Sequence, residues 1–381
     1  NLANYAINNE FTPGIQILVA RKGKIEYQKS FGSQTYQKLQ PINNSSIYDV
    51  ASLTKILATL PNVMQQYDQQ AINMETTLGT MLPMFNGTDK QNINFKDLLS
   101  HYAGLQAWIP FYKATLDEKN HPSKKYYRKI ADTEFSKQVA DSLFIRNDYH
   151  DSIMKIIVDS KLSGLREYKY SDFTFIILKQ YLETVTGKKL DDLIQTQFFN
   201  SMGMNNSTFN PLKKFKKETI PPTEVDNYFR YQTIQGYVHD MEAAMEGGVG
   251  GHAGLFSNAM DVAKMMQMYL QKGNYGGHQY FSAKTFDDFN TCYFCDEGNR
   301  RGVGFDKQQL PGKAGPTCGC ASLTSFGHTG FTGTIAWADP ETELVYIFLA
   351  NRTFPNSEVN KSSKENIRED IQKIIYESIV K

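Results

Sequence analysis

Two strand-pair patterns, one near each end of the chain, constrain the fold more than any other feature. Near the start, GIQILVARKGKIEYQKSFG offers strand-like runs at Ile15–Arg21 and Lys24–Phe31 around a Lys22-Gly23 turn. Near the other end, GTIAWADPETELVYIFLANR offers a second pair around Asp339-Pro340-Glu341-Thr342, followed by an amphipathic helix from about Lys364 to Val380. Between them the apolar spacing changes to three and four in NFKDLLSHYAGL, FTFIILKQYLETVTGKKLDDLIQTQFF and DVAKMMQMYLQKG, with glycine as a stop signal. No fixed-period repeat and no low-complexity linker divides the chain. The expected fold class is α/β (α+β): an antiparallel sheet built from both chain ends and flanked by helices, with a mostly helical inserted region. A single domain over 1–381 is expected, with sheet at about 1–50 and 255–381 and the helical region at about 51–254. Two independent domains are the alternative.

Charge excludes some functions. With 41 basic and 40 acidic side chains the net charge is +1, and PLKKFKKE is the one notable like-charge cluster, so no nucleic-acid partner is expected. No apolar run approaches the ~20 residues that cross a bilayer, so no membrane span is expected. The opening NLANYAINNEFTPG has neither a basic start nor an apolar signal core and reads as a mature chain or a piece of a longer one.

The chemistry begins in VASLTKILATLP, residues 50–61. Ser52 and Lys55 lie three apart, on one helical face, so the lysine nitrogen can reach the hydroxyl. Taken alone, the serine reads as a helix cap and the lysine as a solvated charge, with Pro61 expected to kink the helix. Two further triplets change that reading: Tyr170-Ser171-Asp172 before an apolar helix, and His328-Thr329-Gly330 leading into a strand.

In that order, S-x-x-K, Y-x-D and H-T-G resemble the serine β-lactamase and penicillin-binding-protein superfamily, in its class C-like branch. DLLSHYAGL and GGVGGHAGLFSNAMDVAKM fall in the family's order as well, so the resemblance covers the chain from about residue 14 onward. It implies a serine hydrolase working through an acyl-enzyme on Ser52, with Lys55 and Tyr170 sharing the base role and with no cofactor or metal. It also implies an oxyanion hole from the backbone N–H groups of Ser52 and Phe331. On this reading a nearby cation lowers the Tyr170 pKa, or desolvation takes a proton from Lys55. Gly330 either lets substrate lie along the strand edge or marks a strand irregularity.

Two departures bear on the substrate. His328 stands where lactamases and D,D-peptidases usually carry lysine, so efficient β-lactam hydrolysis is not expected. Asp172 stands where asparagine is more familiar; it either holds Lys55 protonated, moving the base role toward Tyr170, or caps the following helix. Asp172, His328, Thr329, Gly330, His239 and His252 are the expected substrate-binding residues, although either of the last two histidines can equally be structural.

The stretch VHDMEAAMEGGVGGHAGLFSN resembles the subgroup acting on cell-wall fragments, including muramyl-peptide amidases and domains linked to family 3 β-N-acetylhexosaminidases. An abrupt start at Asn1 suits such a detached domain. The implied substrate is a peptidoglycan-derived amide or ester, and the implied location is periplasmic or otherwise exported. A carboxylesterase, a weak β-lactamase, or a non-catalytic cell-wall-binding module are the alternatives. Cys292-x-x-Cys295 and Cys318-x-Cys320 favour one or two disulfides over a structural zinc site or free thiols. Arg300, Arg301 and Asp306, in the intervening segment, either reach the active site or sit in a solvated loop.

Overall fold

Six strands form the main sheet in a computed structural model that describes residues 2–358 and 366–379. They are β1 (Gly14–Arg21), β2 (Lys24–Gly32), β3 (Asp306–Lys307), β4 (Phe326–Gly330), β5 (Thr334–Asp339) and β6 (Leu344–Ala350). Their spatial order is β3-β4-β5-β6-β1-β2, all antiparallel. The pairing of β1 with β6, from Ile15 opposite Ala350 to Arg21 opposite Leu344, joins the two chain ends.

Alternation along the strands explains why both faces are covered. Ile15, Ile17, Val19, Ile335, Trp337, Tyr346 and Phe348 face one way and bury against helices α1 (Leu2–Asn8) and a C-terminal helix, Ile367–Glu377. The expected ends of that last helix, Lys364 and Val380, lie outside the described residues. Leu18, Ala336, Ala338, Val345, Ile347 and Leu349 face the other way, into the main core, where helix Ala259–Leu270 packs through Val262, Met265, Met266 and Tyr269. The alanines of β5 leave room for that helix to come close.

The middle of the chain is less helical than its spacing predicts. Helices form at Phe95–Leu99 and Phe173–Thr186, the second ended by Gly187 at φ +67. Residues 100–148 form loops, a short 3₁₀ turn and a small three-stranded patch, in keeping with Pro110 and Pro122 and the lack of three–four spacing there. A second patch pairs Leu255–Ser257 with Tyr48–Asp49 and Thr208–Phe209, which brings the glycine-rich segment beside the Ser52 turn. No helix among the described residues is long and apolar enough to cross a membrane.

Candidate active site

Ser52 sits in a single 3₁₀ turn, Ala51–Leu53, entered through Ala51 at φ +47. A left-handed alanine is strained and persists only where its surroundings over-determine it. Here they do: Asp49 Oδ1 accepts from the Ala51 N–H at 2.8 Å, and Thr54 Oγ1 donates to the Ala51 carbonyl at 2.7 Å. Thr332 and Thr334 hydroxyls donate to the carbonyls of Asp49 and Val50. No side-chain cap bond forms at this helix start. The Pro61 effect spreads backward: lacking an N–H for the Leu57 carbonyl, it stands at the start of helix Leu60–Asp68, and Lys55–Thr59 widens into a π turn.

This packing accounts for Gly330. A Cβ there would lie 2.1 Å from Thr334 Oγ1 and 2.7 Å from the Val50 carbonyl oxygen, so only glycine lets β4 press against the Ser52 turn. Gly330→Ala is therefore expected to lower unfolding stability by about 1–3 kcal/mol and to reduce turnover, measured by urea titration alongside an activity assay.

Lys55 and Tyr170 converge on Ser52 Oγ. Lys55 Nζ donates to Ser52 Oγ at 2.9 Å, to Asp172 Oδ1 at 2.7 Å and to the His252 carbonyl at 3.1 Å, which uses all three ammonium N–H groups. The Tyr170 hydroxyl donates to Ser52 Oγ at 3.2 Å. Asp172 makes no side-chain cap bond at the following helix; its carboxylate is turned to Lys55.

Protonation differs from the expectation of a free base at rest. Burial disfavours the charge on Lys55, but Asp172 and Tyr170 outweigh it, and its pKa stands above the usual lysine value. Burial also pushes the Tyr170 phenol above its usual value, against the pull of Lys55 and Arg301. Neither alternative is met: desolvation keeps Tyr170 neutral, while Asp172 keeps Lys55 charged, as expected of a carboxylate at that position.

His328 is buried on β4. Its Nδ1–H donates to the Thr329 carbonyl at 2.7 Å, leaving Nε2 without a partner, and burial with Arg301 and Lys55 nearby lowers its pKa to about 3. It is a neutral acceptor where a lysine would be a cation. Thr329 is part-exposed beside it, and Phe331, just past the strand, is exposed. His239 is placed near Phe331, ring centroids 5.6 Å apart, with Nε2 3.3 Å from Glu224. His252 reaches the group through its backbone carbonyl alone. Its buried side chain faces Asp240 and Glu242, which outweigh burial and lift its pKa to about 9.

Three residues carry more than their sequence signal suggested. Arg301 is buried with its guanidinium 5.2 Å from the Tyr170 ring centroid; Nη2 donates to the Tyr168 hydroxyl, while Nε and Nη1 have no partner. Arg300 grips Asp306 with two bonds, at 2.8 and 3.0 Å, and the Asp306 carboxylate also lies 3.4 Å from Arg301 Nη2. His101, in the quoted DLLSHYAGL but with no assigned role, lies 4.6 Å from the Tyr170 ring and accepts from the Ser171 N–H at Nδ1. Burial keeps it neutral. Ser171 Oγ ties the Tyr170 loop to the Gln106 carbonyl at 2.5 Å. The cysteines pair as Cys292–Cys295 and Cys318–Cys320, leaving no free thiol among the described residues.

The profile of the family described as Beta-lactamase matches residues 6–367. A protein of Escherichia coli O157:H7 with the provisional name D-alanyl-D-alanine carboxypeptidase is 30% identical over 380 residues, 92% of this chain and 81% of that protein. One from Salmonella agona, with the same provisional name, is 30% identical over 375 residues, 91% of this chain and 80% of its own length. Among solved structures, one described as a class C beta-lactamase superposes with a TM-score of 0.68 at 15% identity, covering 100% of this chain and 95% of its own. EstCE1, described as a hydrolase with promiscuous acyltransferase activity, gives 0.67 at 17% identity, covering 98% and 96%. At such identities the structural likeness is one of fold.

Proposed function

This chain belongs to the beta-lactamase family of serine hydrolases, and from that premise we propose that it cleaves a peptidoglycan-derived amide or ester through an acyl-enzyme on Ser52. The observation that carries the reading is the convergence of Lys55 Nζ, at 2.9 Å, and the Tyr170 hydroxyl, at 3.2 Å, on Ser52 Oγ. The name of the curated relatives supports a peptide ending in a D-amino acid, and the VHD and GHAG segments support muramyl peptides of the same origin. Such a substrate implies export. A glycosidase domain in a longer parent chain would supply fragments of this kind.

Tyr170 takes the serine proton in this reading, because Lys55 has no free lone pair. The productive form is the phenolate, favoured by the Lys55 and Arg301 charges. Ser52 Oγ attacks the substrate carbonyl carbon, polarised by the Ser52 and Phe331 N–H groups; the tetrahedral intermediate then breaks its bond to the leaving amine or alcohol, which takes the proton from Tyr170, and water hydrolyses the remaining Ser52 ester. Because deprotonation creates the active form and both Lys55 and Tyr170 titrate above their usual values, kcat/KM is expected to rise with pH through neutrality. Asp172→Asn removes the carboxylate that raises Lys55 and opposes phenolate formation, so the alkaline limb should move to lower pH. A pH–rate profile unchanged by that substitution contradicts the assignment.

Arg301 is the cation for a substrate carboxylate. His328 is neutral, whereas Arg301, with Nη2 3.4 Å from Asp306, keeps its Nε and Nη1 nitrogens unpartnered beside Tyr170. Arg301→Gln is expected to raise KM for a peptide with a free C-terminal carboxylate on the order of 10- to 100-fold and to leave its C-terminal amide little affected. Equal losses on both substrates would remove Arg301 from this role. The reaction itself is tested by a turnover panel of D-Ala-D-Ala peptides, muramyl peptides, nitrocefin and p-nitrophenyl esters. Cleavage of the peptides is expected; turnover of short esters alone makes the chain a carboxylesterase, and turnover of nothing makes it a binding module.

A further inference from the structure

We infer that Asp240, Glu242 and His252 form a binding site for one divalent transition-metal ion of the zinc type, behind the catalytic group. The motif resemblance implies no metal; the inference comes from this chain's own side chains. His252 Nε2 lies 3.0 Å from Asp240 Oδ1 and 3.0 Å from Glu242 Oε2. One N–H can align with only one of them, and it aligns with Asp240. Glu242 is left with a side chain 2% exposed and no hydrogen-bond partner on either oxygen. A buried, unpartnered carboxylate is costly unless a cation or a proton neutralises it.

The neighbouring cations are already engaged. Lys179 and His150 both bond Glu246, and Lys55 is paired with Asp172. Two carboxylates therefore share, at most, the single charge of a protonated His252. A divalent ion bound to a neutral imidazole balances both. It takes the place of the Nε2 proton, which leaves to solvent, and no bond other than the coordinate bonds is formed.

Geometry allows it. One candidate ligand atom from each residue lies within 4.8 Å of the others. Ligand atoms ~2.1 Å from a tetrahedral zinc stand about 3.4 Å apart, so the 3.0 Å separations need to open by only a few tenths of an ångström. The Asp240 side chain, 25% exposed, supplies an entry path and a side for a fourth, water ligand. The imidazole nitrogen favours zinc over calcium or magnesium, which prefer oxygen.

The ion would join the short helix Met241–Met245 to the glycine-rich loop. That loop holds the catalytic group from behind: the His252 carbonyl accepts from Lys55, and the Gly251 carbonyl from Thr59 Oγ1. The site thus acts as a positioning element, independent of which substrate Ser52 attacks.

Equilibrium dialysis of the untagged, chelator-stripped full chain against zinc chloride, with metal analysis and a thermal melt, tests this. One zinc per chain and a raised melting temperature are expected. Glu242→Gln and His252→Gln should weaken uptake on the order of 100-fold. Asp240→Asn, which keeps the helix-capping oxygen, should weaken it as well and guards against a folding defect in the others. Cobalt should give visible absorption bands that vanish in the same variants. A wild-type chain that takes up no zinc overturns the inference, as does stoichiometric uptake that persists in both Glu242→Gln and Asp240→Asn; either result leaves His252 as an ion-paired imidazolium.

Discussion

Tyr170→Phe is expected to lower kcat by about 10²- to 10⁴-fold, with KM and melting temperature close to those of the unaltered chain. The substitution deletes one oxygen, the one that donates to Ser52 Oγ at 3.2 Å. The ring stays, and with it the packing against His101 at 4.6 Å and Arg301 at 5.2 Å, so the fold has little reason to respond. A loss confined to kcat reports an interaction made in the transition state. Near-normal turnover would move the proton acceptor to Lys55, which would then have to shed a proton although three acceptors, Asp172 among them, hold its ammonium in place.

Lys55→Met should be more damaging because two effects combine. Turnover should fall below detection, as both the cation that favours phenolate and the donor to Ser52 Oγ are removed. Stability should fall on the order of 2–3 kcal/mol, because Lys55 is fully buried and Asp172, with a side chain 19% exposed, loses its counterion. The two effects separate in the double variant. Adding Asp172→Asn removes the orphaned charge and should recover much of the stability, read from urea midpoints, while turnover stays absent. Recovery of activity together with stability would mean that Lys55 is a structural partner only.

Much of this arrangement was legible in the sequence, for definable physical reasons. Period-two alternation around a Lys-Gly turn and a Pro-containing turn placed both hairpins within a residue or two, because strands buried on one or two faces leave a pattern that turns punctuate. The S-x-x-K and Y-x-D triplets pointed to residues that the fold brings within hydrogen-bond reach across 117 positions of sequence. What stayed hidden depends on burial and on long-range approach. No local pattern says that desolvation of Tyr170 outweighs the pull of Lys55, or that His328 is sealed into neutrality. Arg301 was legible only as a charge in a cysteine-flanked segment; its stacking on Tyr170 exists only once β3 pairs with β4. The left-handed Ala51 carries no sequence signal, since it is held by threonines from positions 54, 332 and 334. His252 drew notice as a side chain, yet the fold uses its carbonyl at Ser52 and turns the imidazole toward Asp240 and Glu242.

An acyl-enzyme on Ser52 is open to intact-mass and peptide-mapping analysis after incubation with a fluorophosphonate or a fluorescent penicillin. A single adduct per chain is expected, mapped to the peptide containing Ser52 and absent in Ser52→Ala. Folded protein that stays unlabelled by both reagents, or that carries the adduct on another residue, would contradict it.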